Sequence, residues 1–179
     1  AWHVVMLNSE CGPMLGCGSG SPEETWLAND LATHPNACVL AAWHEPLFSD
    51  GPNGNEPQYQ AFWNDLLRYH ADVVLNGHDH DYGRFVPQNA NGVASSSGVT
   101  EFVVGTGGIY LEGITSVTNT PSAAIDCTHY GVLEITIHVH ISGCKFVAPS
   151  CPVFPSGTPA PTATACAPLV PIPPTGARS

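Results

Sequence analysis

The chain has 179 residues, 43% of them hydrophobic, which is enough to build the core of one ordinary domain and excludes a chain that is disordered throughout. Fifteen acidic residues against four basic ones give a formal net charge of −11, and that balance excludes a nucleic-acid or anionic-membrane surface, since both depend on clusters of Lys and Arg. An anionic substrate would have to be drawn in by something other than side-chain charge, and a bound metal pair is the kind of group that would do so.

Seven cysteines beside a Pro, Thr and Ala tail favour an oxidising, secreted or otherwise extracytoplasmic setting. Cys11 and Cys17 are the leading pair, closing a glycine-rich loop; the odd total leaves at least one thiol unpaired or with its partner on other polypeptide. No stretch reaches the roughly 18 consecutive apolar residues of a membrane span.

In chain order, Trp2 to Asn8 reads as a buried strand, followed by a Gly, Cys and Ser loop. Ser21-Pro22-Glu23-Glu24 then supplies an N-cap, a proline at the first helical position and a capping-box Glu. The helix should run to Thr33 or His34 with Trp26, Leu27 and Leu31 on one apolar stripe. Cys38 to Trp43 is a continuous apolar run of strand length, ended by His44-Glu45-Pro46. A turn-rich loop over 49–57 leads to a second helix from about Gln58 to His70, with Tyr59, Phe62, Trp63, Leu66 and Leu67 inward. A third β-branched run, from Asp72, stops at Gly77. Strand, helix, strand, helix, strand in this order implies a parallel sheet, and hence an α/β fold.

Later, Thr100 to Val104 is a short strand that ends in Gly105-Thr106-Gly107-Gly108, and 109–130 shows no clear period. The alternation of Leu133, Ile135, Ile137, Val139 and Ile141 with polar residues marks a half-buried antiparallel strand. Beyond Pro149 the composition is that of an extended linker or disordered tail, so the expected division is an ordered region over 1–148 and a tail over 149–179.

The chemistry concentrates in Gly77-His78-Asp79-His80-Asp81-Tyr82-Gly83-Arg84. In extended backbone alternate side chains share a face, so His78 and His80 can point the same way, and neutral imidazole is the commonest protein ligand for zinc, iron and similar ions. His44 ends a separate apolar run. Asp79 and Asp81 are candidate acceptors for imidazole N–H groups, against the plainer reading of solvated loop carboxylates. Arg84 could contact a phosphate oxygen or simply pair with a nearby Asp. His138 and His140 form a second H-x-H, but on the polar face of an alternating strand, where a solvent role is the better reading. His3, His34, His70 and His129 have no ligand-like context.

Taken together, Val39 to Ser49 with its His44, then Asp72 to Phe85 with Gly77-His78-Asp79-His80, then Phe102 to Gly108, resemble the calcineurin-like metallophosphoesterases, in particular the secreted purple acid phosphatase-like branch. The likeness covers roughly residues 1–147. That superfamily is marked by five blocks in order, D-x-H, G-D, G-N-H-[DE], a lone His after a strand, and G-H-x-H; this chain carries the last two. The resemblance implies a partial two-sheet α/β/β/α sandwich and a metal-dependent phosphoester hydrolase whose centre holds two ions of iron, zinc or manganese. It implies His44 and His78 on one ion and His80 on the other. The bridging aspartate and the substrate-contacting residues fall in the three absent blocks, so no residue here takes a catalytic role. The chain is then expected to be the C-terminal half of a catalytic domain, its partners a phosphate-ester substrate and the missing N-terminal half. A metallo-β-lactamase-type hydrolase, which also uses H-x-H, ranks below this reading because that family continues as H-x-H-x-D-H, where this chain has Tyr82 and Gly83. The alternative from another class is a non-catalytic secreted binding or adhesion module derived from the phosphatase fold.

Overall fold

The computed structural model describes residues 1–13, 15–35, 37–114, 122–140 and 143–147. The expected tail over 149–179 lies outside the described residues. Five β-branched or apolar stretches become strands of one six-stranded sheet: β1 (Trp2–Met6), β2 (Cys38–Ala42), β3 (Val73–Asn76), β5 (Thr100–Val104) and, with β-rich composition less obvious, β6 (Ser122–Asp126); β4 (Tyr82–Phe85) completes it. The order is β1-β2-β3-β5-β4-β6, parallel through β5, with β4 running antiparallel between β5 and β6. A ribbon of β7 (Thr136–His140) and β8 (Gly143–Val147) forms a second, two-stranded sheet. The fold class is α/β.

Helix α1 (Pro22–Thr33) starts where its signals lie. The Ser21 hydroxyl accepts from Glu24 N at 3.2 Å, and Glu24 reaches back to Gly20 N at 3.0 Å, so orphan donors at the first turn are satisfied. Helix α2 (Gln60–Arg68) is preceded by a 3-10 turn over Pro57–Tyr59. Leu27 and Leu31 of α1 and Phe62, Trp63 and Leu66 of α2 bury one sheet face, against Val39, Ala41 and Val74. Trp26, expected on that stripe, is 49% exposed; it sits one residue, about 100° of helix rotation, away from Leu27 and so turns off the core.

The opposite face carries Leu40, Val73, Tyr82, Phe102 and Ala124, covered by Leu133, Ile135 and Phe146. A Cys38–Cys144 disulfide fastens β8 to β2 across 106 residues, and Cys11–Cys17 closes the early loop as the spacing suggests. The long closure constrains the unfolded chain far more than the short one, and native disulfides of this kind contribute about 2–5 kcal/mol. Among the described residues, Cys127 is free. The strand at the N-terminus is not buried on both faces as its composition suggests: Val5 and Leu7 are buried, but Val4 is 54% and Met6 70% exposed. The reason is position, since β1 is the sheet edge: Trp2 still reaches the ribbon, its Nε1 donating to His138 O at 3.0 Å, and Val4 and Met6 extend past that cover.

One buried acid ties the fold to the loop that carries His44. Glu101, on β5, is fully buried, accepts from Gln88 Nε2 at 3.3 Å and from the backbone N–H groups of Leu47 and Phe48. Burial holds its carboxyl well above the usual range, and the two backbone donors offset this only in part. A folded-state pKa above the unfolded one means that the native state keeps a proton the unfolded chain has lost. The associated stability is full below roughly pH 4.3 and is lost as pH rises toward the folded value. Glu101→Gln should therefore flatten the melting temperature between pH 5 and pH 8 and raise it at pH 8; a variant as steep as the parent would contradict this.

Candidate metal centre

The parallel pairing of β2 and β3 continues past both strand ends, and this brings the histidines together. Trp43 N donates to Leu75 O at 3.2 Å, Asn76 Nδ2 to Trp43 O at 3.0 Å, and Gly77 N to His44 O at 2.9 Å. His44 and Gly77 thus lie side by side at the C-terminal edge of the sheet, where sites collect in open α/β folds. His44 Nε2 and His78 Nδ1 approach to 3.3 Å, with their rings edge to face at 5.1 Å. His80 lines the same cleft of about 360 Å³, whose other walls are Gly77, Val104, Gly105, Gly107, Gly108 and Ile109.

His78 is held in an uncommon backbone shape. Its φ is 70°, and Asp79 N donates to Gly77 O at 2.9 Å, so Gly77, His78 and Asp79 form a γ-turn of the strained kind. A β-carbon at positive φ costs roughly 1 kcal/mol relative to glycine. Strain of this sort persists where the surroundings over-determine it, and here they do. Gly105 N donates to Asp81 O at 2.9 Å and Glu112 N to His80 O at 3.0 Å, clamping the loop from two sides. His78→Gly is accordingly expected to melt higher than His78→Ala by about 1 kcal/mol of stability, although both remove the imidazole. Equal denaturation midpoints would show that the turn is unstrained.

Asp79 is fully buried and does not orient an imidazole. Its carboxylate accepts from Ser49 Oγ, and from Asn53 N and Nδ2 at 2.9 and 2.8 Å, pinning the 49–53 loop beneath the histidines. Asp81 is also buried, and Oδ2 has no hydrogen-bond partner among the described residues. Burial, then the carboxylates of Asp79, Asp50 and Glu112, push it up to about 7. Four acids under one histidine loop make a region that favours a cation. Arg84 is buried on β4, opposite Phe102 in register, and is not among the residues lining the cleft; its Nε and Nη2 lack partners among the described residues.

Sequence reasoning passed over Glu112. Its Oε2 accepts from His80 N at 3.0 Å and lies 3.5 Å from His80 Nδ1, which is buried and otherwise unpartnered among the described residues. Tyr110 packs edge-on against the same ring at 4.9 Å. Both come from the stretch without periodicity, where no local pattern announces them. Tyr59 is a further support: it donates to Ser9 O at 2.8 Å and contacts Glu45, while Ser9 Oγ accepts from His44 N at 3.3 Å. Burial and the Glu45 carboxylate hold the Tyr59 phenol far up, so it remains a donor.

The donor set fits a metal on geometric grounds. Two ligands of a tetrahedral zinc-like ion, each at 2.0–2.1 Å, lie about 3.3–3.4 Å apart. The His44 to His78 nitrogen separation matches that, and it is long for an N–H···N hydrogen bond.

No protein-family model matches the chain. An acid phosphatase of Aspergillus ficuum is 28% identical to it, an alignment that takes in 72% of this chain and 26% of the relative. Among solved structures, purple acid phosphatase from seeds of yellow lupin (Lupinus luteus) superposes with a TM-score of 0.63 at 20% identity, over 74% of this chain and 26% of the lupin chain. GAP50, described as the anchor in the inner membrane complex of Plasmodium, superposes at 0.57 with 14% identity, over 81% of this chain and 44% of its own. The chain is thus similar in sequence to an acid phosphatase and in fold to a purple acid phosphatase, and it spans about a quarter of the length of each.

Proposed function

We propose that this chain supplies the histidine side of a two-metal phosphoester hydrolase, with His44 and His78 on one ion and His80 on the other. The observation that carries the reading is the 3.3 Å approach of His44 Nε2 to His78 Nδ1 at the mouth of the cleft. Iron, zinc or manganese suit imidazole and carboxylate donors. A bound pair would lower the pKa of a water and neutralise phosphoryl oxygens. The chain's own residues hold the geometry: the γ-turn aims His78, the Gly77 to His44 backbone bond fixes the pair, and Glu112 holds the His80 backbone while Tyr110 packs on its ring. Asp81 and Arg84 stand behind this loop rather than on the cleft wall.

Residues 1–148 would then be the C-terminal portion of a catalytic domain, and the remaining carboxylate ligands would come from polypeptide outside this chain. Residues 149–179 would serve as a linker or tail. The two disulfides support an extracytoplasmic location. No described helix is long and apolar enough to cross a membrane. The fold likeness to an anchoring protein favours a second reading, a non-catalytic binding module. Paired imidazoles at ligand spacing speak against it, because an anchor has no use for a strained residue such as His78. The test is titration of the chain with zinc, followed by the imidazole resonances of His44 and His78: shifts of both, with the shift of the remaining imidazole lost in His44→Ala and in His78→Ala, support the hydrolase reading, and zinc binding that leaves both resonances in place removes its basis.

A further inference from the structure

At the other end of β1 and α1 the structure joins two histidines that have no ligand-like context in the sequence. His3, on the edge strand, places Nε2 2.5 Å from Asp30 Oδ2. His34, at the C-terminal cap of α1, stacks on His3 with ring centroids 3.9 Å apart and planes at 17°. Ligand atoms of His3, Asp30 and His34 all lie within 4.8 Å of one another. We propose that His3, Asp30 and His34 form a metal-binding site for zinc or a similar borderline divalent cation, separate from the histidine cleft.

The His34 tautomer carries the argument. Its Nδ1 lies 2.8 Å from Asp30 O, a carbonyl that can only accept, so Nδ1 bears the proton. Thr33 Oγ1 donates to the same carbonyl at 2.8 Å and offers its lone pair to Nδ1 at 3.1 Å. Neutral His34 therefore keeps its lone pair on Nε2, with the ring oriented by a backbone acceptor, the arrangement that usually backs a metal-bound imidazole. His3 Nε2 points at the carboxylate. Two imidazoles and one carboxylate are the donors that zinc, nickel and copper prefer, and three protein ligands leave one position for water.

Each group stays reachable, with side-chain exposures of 21% for His3, 20% for Asp30 and 43% for His34. A plain ion pair between His3 and Asp30 would account for their contact, but it gives no reason for a second imidazole stacked on the first and held there by Asp30 O. The site is remote from the cleft: His3 pairs with Val39 in register, and His44 lies five residues further along, on the order of 15 Å at strand rise. An ion here would clamp the edge strand β1, one face of which is uncovered, to the end of α1.

The chain carrying His44→Ala and His78→Ala, which removes the paired imidazoles of the cleft, isolates the question. Titrated with zinc alone, it should bind one equivalent, with the imidazole resonances of His3 and His34 shifting in nuclear magnetic resonance spectra and that of His70 unmoved. Adding His3→Gln or His34→Gln should weaken binding at least tenfold, with circular dichroism confirming the fold. Absence of binding, binding that leaves both resonances in place, or unchanged affinity in both variants overturns the site; the resonance shifts need no further substitution, so they decide the matter even if a glutamine variant fails to fold.

Discussion

His78→Ala is expected to lower metal-dependent hydrolysis of an aryl phosphate by at least about 10³-fold when the chain is joined to polypeptide carrying the carboxylate ligands, while the 179-residue chain alone should show no such turnover. A metal contributes several kcal/mol of charge stabilisation in the transition state, and each 1.36 kcal/mol is tenfold in rate, so losing an ion should cost about three decades. Alone, three histidines shared between two ions leave each below the three protein ligands of a typical catalytic centre. The acids near the loop do not make up the number, because Asp79 is spent on Ser49 and Asn53 and Glu112 on the His80 backbone. Turnover by the chain alone that vanishes in His78→Ala would mean that neighbouring carboxylates complete the site.

Gly105→Ala is expected to destabilise the chain by about 3 kcal/mol and to abolish metal uptake at the histidine cleft. A β-carbon there would stand 1.9 Å from Asp79 O and 2.9 Å from His80 Cα, both backbone, so the ligand loop would have to move. Gly107, two residues on and lining the same cleft, would meet nothing within 4 Å. Gly107→Ala should therefore stay within about 0.5 kcal/mol of the parent and keep its metal. Similar denaturation midpoints and zinc affinities for the two variants would show that close packing of the loop on β5 does not matter.

Much of this was legible in the chain. The parallel β1-α1-β2-α2-β3 order follows from two periodic helices, the first of them capped by Ser21, between apolar runs, and the strand at Thr100 to Val104 from its composition and terminal glycines. What stayed hidden depends on contacts distant in sequence. β4 and β6 are short, β4 lying between β5 and β6 and pairing with both, and neither has the alternation that a strand with one solvated face displays. Cys38 reads as a strand residue, and only the fold shows that Cys144 lies against it. Asp79 and Asp81 read as loop carboxylates because polarity in a turn usually means solvent; here the 49–53 loop covers one, and the other is buried among acids. Glu112 and Tyr110, which meet His80, sit thirty residues beyond it in a stretch with no period. The γ-turn at His78 is equally silent in sequence, since Gly77 suggests a turn without saying which residue takes the positive φ.

The most direct test of the central claim is diffraction from crystals soaked in zinc, with data collected on both sides of the zinc absorption edge. An anomalous peak is expected between His44 Nε2 and His78 Nδ1, at about 2.0–2.1 Å from each. Zinc bound to the chain with no peak at that position, and the two nitrogens still hydrogen-bonded to each other, would contradict it.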